Sequence, residues 1–280
     1  MAGQAAGDRD LLGVDLVDGG EGWAVGDIAP SGGAILHTSN GGKTWQPIAA
    51  TNEVLSSVCF VSPKLGWVAG YAGRIERTDD GGRTWTRERF EREDEVLNSI
   101  TFTDESHGLA VGGAGLVLRT TNGGAAWELV ETGRKEDLWC VRFADARRGW
   151  IVGEDGIVLA TADGGATWTK RASGTTRALT GLAALGSGGA VAVGDAGTIV
   201  RSDDGETWAP VASPTAESLS AVASDATGTW AVGSAGVIVE SSDDGRSWRL
   251  VGALTGRTLL AVDGLGAAVG KRGATIYMDK

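Results

Sequence analysis

Short apolar runs separated by glycine-rich turns repeat along the entire chain. Each repeat opens with a leucine and a run such as LSSVCF, continues with a run ending in Val-Gly or Ala-Gly such as GWVAG, and adds a β-branched run such as GRIERT. The chain lacks the apolar spacing of an amphipathic helix, so the pattern predicts an all-β protein. The opening leucines are Leu11, Leu55, Leu97, Leu138, Leu179, Leu219 and Leu259.

A turn that ends in tryptophan follows the third run of the first six repeats. The closing tryptophans lie 40, 42, 41, 40 and 40 residues apart. A fixed period of about forty residues, built from short strands and turns, is typical of β-propeller blades. The turns are TSNGGKTW (Thr38–Trp45), TDDGGRTW (Thr78–Trp85), TTNGGAAW (Thr120–Trp127), TADGGATW (Thr161–Trp168), SDDGETW (Ser202–Trp208) and SSDDGRSW (Ser241–Trp248).

With a fourth strand beginning at the turn tryptophan, each repeat makes one blade. The sequence therefore predicts a seven-bladed β-propeller of four-stranded antiparallel blades, formed by residues 1–280 as a single domain. The last repeat ends after its third run, at Gly273–Met278, without a turn or a fourth strand. Residues 1–10 lie at the right distance before Leu11 to supply the missing outer strand. Because MAGQAAGDRD is a poor strand former, a three-stranded last blade is the alternative.

Composition and charge narrow the classes of partner. The formal net charge of −11 argues against nucleic acid, whose phosphates require a basic surface. An apolar stretch of about 18 residues, which a membrane span needs, is missing. The N-terminus lacks the basic and apolar regions of a signal peptide. We therefore expect a cytoplasmic protein if Met1 is the native start, and a secreted or periplasmic one if a signal peptide was removed.

The residues that commonly bind metals are few and scattered. Cys59 and Cys140 lie in the first strands of blades two and four, with blade three between them, so we expect buried thiols rather than a disulfide. His37 and His107 are isolated from each other and from both cysteines. We predict no metal site and no cofactor. Glycine is abundant, with 46 residues, which we attribute to tight turns that need positive φ.

The Asp and Asn residues of the repeated turns are expected to stabilise the turns rather than to react. Their side chains can accept hydrogen bonds from backbone N–H groups of the same turn, and a residue present in six blades is not a unique site. The turn tryptophans are expected to pack between blades. The residues assigned to this role are Asn40, Asp80, Asn122, Asp163, Asp203 and Asp243.

The turn S/T-x-D/N-x-G-x-T-W, known as an Asp box or BNR-type repeat, occurs here together with the GWAVG-type strand. This combination resembles the photosystem II stability/assembly factor family of seven-bladed propellers, from Leu11 to Met278. The resemblance implies a non-enzymatic scaffold or binding protein that contacts other proteins during assembly of a larger complex. The basic surface patch of that family is not evident in so acidic a chain.

A carbohydrate-active protein, either lectin-like or a glycoside hydrolase, is the alternative function. Asp boxes also occur in sialidases and in xyloglucanase-type glycosidases. Sialidase chemistry needs an arginine triad and a Tyr/Glu pair, and this chain has only two tyrosines. A two-carboxylate mechanism needs an acid and a base that flank a groove. Glu154, Asp155 and Asp195 could supply carboxylates on neighbouring blades.

Ten of the eleven tryptophans occupy recurring positions of the repeat, and Trp139 is the one that does not. It follows the opening leucine of blade four, near the propeller axis. Two hypotheses fit it equally: an aromatic anchor for a partner protein, or a plug of the central channel. We predict a partner-binding face here, on the loops that join strand four to strand one and strand two to strand three. Its candidate residues are Trp139, Tyr71, Phe90, Arg134, Lys135, Glu154, Asp155 and Asp195.

Overall fold

The computed structural model describes residues 2–4, 9–17, 20–28, 32–88, 94–253 and 255–277. It contains seven four-stranded antiparallel sheets, which confirms the predicted seven-bladed β-propeller. From the central channel outward, blade one has β2 (Leu11–Leu16), β3 (Gly22–Asp27), β4 (Gly33–Thr38) and β5 (Gln46–Thr51), and blade two has β6 (Leu55–Phe60), β7 (Gly66–Gly70), β8 (Ile75–Thr78) and β9 (Thr86–Glu88). Blade three has β10 (Leu97–Phe102), β11 (Gly108–Gly112), β12 (Val117–Thr120) and β13 (Glu128–Leu129), blade four has β14 (Leu138–Phe143), β15 (Gly149–Gly153), β16 (Val158–Thr161) and β17 (Thr169–Arg171), and blade five has β18 (Leu179–Ala184), β19 (Ala190–Gly194), β20 (Ile199–Ser202) and β21 (Trp208–Pro210). Blade six has β22 (Leu219–Ser224), β23 (Thr229–Gly233), β24 (Val237–Ser241) and β25 (Arg249–Ala253), and blade seven has β26 (Leu259–Val262), β27 (Ala267–Gly270), β28 (Ala274–Tyr277) and β1 (Ala2–Gln4).

The outer strand of blade seven comes from the start of the chain. Strand β1 pairs antiparallel with β28, with Ala2 opposite Ile276 and Gln4 opposite Ala274. The first three strands of that blade come from the other end of the chain. Two distant parts of the sequence therefore share one sheet.

The hydrophobic core is divided among the seven interfaces between neighbouring blades. Each interface buries its own cluster of side chains, and all seven opening leucines are buried. Between blades one and two, Trp23 stacks on Phe60 with ring centroids 3.5 Å apart. Between blades two and three, Trp67 stacks on Phe102 at the same distance. The period of the sequence thus reflects one packing unit used again at each interface.

A side chain from one blade also donates a hydrogen bond to the Asp box of the next blade. In three blades the donor is the indole Nε1 of a tryptophan in the second strand. In two others it is the Nε of an arginine in the third strand. These bonds run from Trp23 to Gly81 O, Trp67 to Gly123 O, Trp150 to Gly205 O, Arg119 to Gly164 O and Arg201 to Asp244 O, over 2.6–3.1 Å. We call this bond the inter-blade latch.

The Asp boxes stabilise their own turns, as the sequence indicated. Asp163 Oδ1 accepts from Thr161 Oγ1 at 2.8 Å and from the backbone N of Thr167 at 2.9 Å, while its Oδ2 accepts from Thr167 Oγ1 at 2.6 Å. These donors, that of the Thr167 side chain foremost, lower the pKa of Asp163 from 3.8 to about 2.

The assignment of Asp203 to the Asp box of blade five was wrong. Asp204 fills this role, accepting from Ser202 Oγ at 2.9 Å and from the backbone N of Thr207 at 2.7 Å. The accepting carboxylate lies two residues after the Ser or Thr hydroxyl that opens the box. Because this box is one residue shorter than the others, that position is Asp204. Asp203 instead pairs with Arg201 and Arg246, each at 2.8 Å.

Replacing Asp163 with alanine should lower the free energy of unfolding by about 1 kcal/mol, because the turn donors lose their acceptor. Asp163→Asn should be close to wild type at pH 7, since Asn40 and Asn122 make the same backbone contact at 2.9 Å in their own boxes. The contribution of ionised Asp163 is present above pH 3.8 and is lost as the pH falls to about 2. Urea unfolding of wild type and the two variants between pH 7 and 2.5 measures both effects. An Asn variant as unstable as the Ala variant at pH 7 would contradict this account.

Candidate functional site

A recess of about 330 Å³ opens at the upper face of the propeller, which we define by the loops joining strand four to strand one and strand two to strand three. Trp139 in β14 borders it, in the ring of residues that surrounds the channel. The recess, named here the Trp139 recess, is lined by Leu12, Ser56, Tyr71, Asn98, Trp139, Thr180, Asp195, Ser218, Leu219, Ser220 and Leu260. A narrower segment of about 100 Å³ continues down the channel and is also bordered by Trp139.

The position after the opening leucine carries Trp139 in blade four and a leucine or a polar residue in the other six blades. In blades two, three and five, its side chain donates to the carbonyl oxygen of the next blade's opening leucine. Ser56 Oγ donates to Leu97 O, Asn98 Nδ2 to Leu138 O at 2.9 Å, and Thr180 Oγ1 to Leu219 O at 2.8 Å. The indole of Trp139 forms no such bond with any described residue. Blade four thus presents an aromatic surface to the channel where blades two, three and five make a contact between blades.

The exposed groups of the recess are aromatic, apolar and hydroxyl-bearing, with one charge among its described lining residues. Tyr71 is 45% exposed, and Trp139 is half-buried. The side chains of Ser56, Asn98 and Thr180 are already occupied by their bonds to the next blade. The carboxylate of Asp195 accepts no hydrogen bond from the residues that the structure describes. This surface suits an apolar group that carries a positive charge nearby.

Three of the predicted site residues, Trp139, Tyr71 and Asp195, thus border one recess. Glu154 occupies the same repeat position as Tyr71 and Asp195 but does not line it. Asp155 has a left-handed backbone with φ 53°, as have Ala72, Ala114, Ala196, Ala235 and Arg272 in the equivalent turns, so it belongs to the scaffold.

The loop before blade four lies beside the recess rather than in it. The Arg134 carbonyl packs against Gly115 in the second-to-third-strand turn of blade three, and its guanidinium lies 3.7 Å from Glu136. Lys135 is exposed on the same loop. Phe90 lies outside the described residues.

Comparison with known families identifies the chain. The model of the photosynthesis system II assembly factor YCF48 family matches residues 49–135 and 92–228, which together span more than half of the sequence. The chain belongs to the YCF48 family. The family resemblance inferred from the Asp boxes is therefore confirmed.

Solved structures share the fold of this YCF48-family chain along nearly its whole length. A structure described as YCF48 bound to D1 peptide has a TM-score of 0.81 at 20% identity and covers 100% of this chain and 97% of its own. YCF48 from Cyanidioschyzon merolae has a TM-score of 0.75 at 22% identity, covering 98% and 97%. Virginiamycin B lyase from Staphylococcus aureus has a TM-score of 0.83 at 13% identity, also covering 98% and 97%. At these identities the likeness establishes the fold alone.

A search of curated proteins found no match. In the described part of the chain, no helix is long and apolar enough to cross a membrane. The described residues also contain no group of three or more His, Cys, Asp and Glu side chains placed to hold a metal ion. Cys59 and Cys140 are both free thiols.

Proposed function

We propose that this YCF48-family protein is a non-catalytic binding module that takes up a segment of a partner protein in the Trp139 recess. The observation that carries the proposal is the aromatic side chain of Trp139 on the wall of the recess. At the same position, Ser56, Asn98 and Thr180 bind the neighbouring blade, and Leu12, Ser220 and Leu260 complete the ring of seven. Trp139 is half-buried there and offers a large aromatic surface of the kind that serves as a binding anchor.

Family membership supports a role in the assembly of a larger complex. The related protein solved as YCF48 bound to D1 peptide is a propeller that holds a peptide. We infer the chemistry of the segment bound here from the recess itself. Its Leu12, Leu260 and Trp139 surfaces suit an aliphatic or aromatic side chain, and Asp195 suits a neighbouring lysine or arginine. The net charge of −11 favours approach of a basic segment over long distances.

A carbohydrate ligand is the second candidate, because Trp139 and Tyr71 could also stack on a sugar ring. Hydrolysis requires two carboxylates across the substrate. Among the described lining residues, Asp195 supplies the one carboxylate of the recess. A lectin-like role is therefore the form of this alternative that we test.

Selection from a random-peptide phage library, followed by calorimetry of the enriched peptides, tests the proposal. We expect enriched peptides to pair an aromatic or aliphatic residue with lysine or arginine. Trp139→Ala should weaken binding about thirtyfold, equivalent to about 2 kcal/mol. Asp195→Asn should weaken it less and reduce its dependence on salt.

The matched control is Leu250→Ala, because Leu250 is 51% exposed on the outer strand β25, away from the recess. This variant should bind like wild type. If Trp139→Ala instead lowers the free energy of unfolding by several kcal/mol, typical of a lost core aromatic, and leaves peptide affinity unchanged, Trp139 is a channel plug. Failure to select peptides, together with Trp139-dependent binding on a glycan array, would favour the lectin-like alternative.

A further inference from the structure

A second cavity, of about 340 Å³, lies in the lower half of the channel, toward the face that carries the Asp boxes. Three charged side chains line it: Asp15 in β2, Arg142 in β14 and Asp263 directly after β26. Most of the remaining lining residues have apolar side chains, among them Val58, Leu182 and Val222. We call this cavity the charged chamber. It is separated from the Trp139 recess by the narrow segment of the channel.

The three charges share one position of the repeat, four residues after the opening leucine. The other four blades have Cys59, Thr101, Ala183 and Ala223 there, so neither the strand nor the blade requires a charge. In a ring of seven blades, blade four stands opposite the interface between blades seven and one. Arg142 therefore faces Asp15 and Asp263 from across the channel.

Backbone N–H groups hold both carboxylates, and those that lower the pKa of Asp263 belong to Leu265, Leu16 and Gly264. Asp15 Oδ2 accepts from the backbone N of Phe60 at 2.5 Å, and Asp263 Oδ1 accepts from the backbone N of Leu265 at 2.7 Å. Burial, followed by repulsion from Asp263, raises the pKa of Asp15 from 3.8 to about 7. Burial also raises the pKa of Asp263. The positive charge of Arg142 lowers the pKa of both carboxylates and offsets these shifts only in part.

Arg142 is held in place but leaves most of its hydrogen-bonding capacity free. Its Nη1 donates to Val141 O at 2.8 Å and to Ser99 Oγ at 3.3 Å. A guanidinium has five N–H donors in a planar fork that matches a carboxylate. Within the described chain, Arg142 makes no ion pair within 4.0 Å, and neither do Asp15 and Asp263. Arg142 is exposed to the channel, and Asp15 and Asp263 are half-buried, so all three charges are accessible to a ligand of complementary charge.

We propose that the charged chamber binds a small zwitterion of the α-amino acid type. The ligand's carboxylate would pair with the Arg142 guanidinium, and its ammonium group would lie between the carboxylates of Asp15 and Asp263. The apolar wall leaves space for an aliphatic side chain. The volume is close to the lower end of the range of about 300–1,000 Å³ found for small-molecule sites.

This site is distinct from the recess proposed for protein binding, because Asp15, Arg142 and Asp263 do not line the recess and Trp139 does not line the chamber. Arg142 and Trp139 both border the narrow segment between the recess and the chamber. The test therefore uses Trp139→Ala as the control that keeps the chamber intact. A thermal-shift screen of the standard amino acids at millimolar concentration selects the probe. We expect an aliphatic amino acid such as L-leucine to give the largest increase in melting temperature, in wild type and in Trp139→Ala alike.

Calorimetry with analogues then measures separately how much the carboxylate and the ammonium group of the ligand contribute to affinity. Leucinamide lacks the carboxylate and 4-methylpentanoate lacks the ammonium group, so each should bind wild type at least about tenfold more weakly than leucine. Arg142→Met, which keeps the side-chain length, should bind leucine and leucinamide equally. Asp15→Asn combined with Asp263→Asn should remove the preference for leucine over 4-methylpentanoate.

The pH dependence gives a further check. Cys59 stays neutral, because burial raises the pKa of its thiol to about 12, and Arg142 stays charged, so the carboxylates are the groups that change. Leucine affinity should rise from pH 6 to pH 8 as Asp15 ionises. Circular dichroism establishes that each variant is folded. The proposal is overturned if no amino acid raises the melting temperature, or if the folded Arg142→Met variant still prefers leucine to leucinamide.

Discussion

Replacing Gly194 with alanine should lower the free energy of unfolding by about 3 kcal/mol or more, although the change adds a single methyl group. An added Cβ would stand 1.9 Å from the carbonyl oxygen of Ala178. That oxygen cannot move away freely, because it accepts a hydrogen bond from the backbone N of Asp195 at 3.1 Å. Relief of the contact must therefore shift the start of β18 or break the bond.

The same arrangement recurs in all seven blades. The first strand shifts register against the second just after the opening leucine, and this shift brings the preceding carbonyl oxygen over the last glycine of the second strand. The distance from an added Cβ to that oxygen is 1.9–2.2 Å in every case. The glycines are Gly26, Gly70, Gly112, Gly153, Gly194, Gly233 and Gly270.

Gly186→Ala is the matched control. Its added Cβ would meet no atom within 4 Å, and its φ lies outside the left-handed region. Urea unfolding of the two variants beside wild type measures the difference. If Gly194→Ala and Gly186→Ala unfold at the same urea concentration, the close approach does not explain the repeated glycine.

The sequence predicted the blades because each blade packs against its neighbours in the same way, so the same residue pattern recurs in every repeat. Many turn glycines have the positive φ that the sequence predicted. The last glycine of the second strand has a different reason, since Gly112, Gly153 and Gly194 have extended backbones with φ between −164° and −172°. The close carbonyl comes from a register shift between strands, which the order of apolar residues does not encode. The repeat thus predicts where glycine occurs, and the structure explains why.

The candidate sites differ in how far the sequence could predict them. Trp139 was found by asking which tryptophan the repeat leaves over, and the recess brings it together with Tyr71 and Asp195. The position four residues after each opening leucine likewise holds three charged residues that the repeat does not require, namely Asp15, Arg142 and Asp263. Their separation along the chain hides the relationship, because it is the closed ring that places blade four opposite blades seven and one.

The inter-blade latch predicts the largest single loss of stability. Trp67 is fully buried, stacks on Phe102 and donates from Nε1 to Gly123 O at 3.0 Å. Trp67→Ala should lower the free energy of unfolding by about 4 kcal/mol, since it removes the stack, leaves a cavity and takes away the donor. Urea unfolding measures this loss, and a cost below about 1 kcal/mol would contradict the packing described here.

A leucine at position 67 should be better tolerated than its size suggests, because other blades already use a second form of the latch. In blade three the second strand has Leu109, and its cross-strand neighbour Arg119 donates to the next Asp box. Blade two has an arginine at that neighbouring position as well, since Arg77 lies opposite Trp67.

In wild type, the guanidinium of Arg77 lies 3.5 Å from Asp79, an exposed partner that it can leave at little cost. Trp67→Leu should therefore cost about 2 kcal/mol, with Arg77 taking over the bond to Gly123 O. Arg77→Ala alone should change stability little. The Trp67→Leu, Arg77→Ala double variant should be less stable than the sum of the two single changes predicts, because it alone removes both donors. Strict additivity would show that Arg77 does not replace the indole. The inter-blade latch would then depend on the particular donor present in each blade, and the arginine of the third strand would not substitute for the tryptophan of the second.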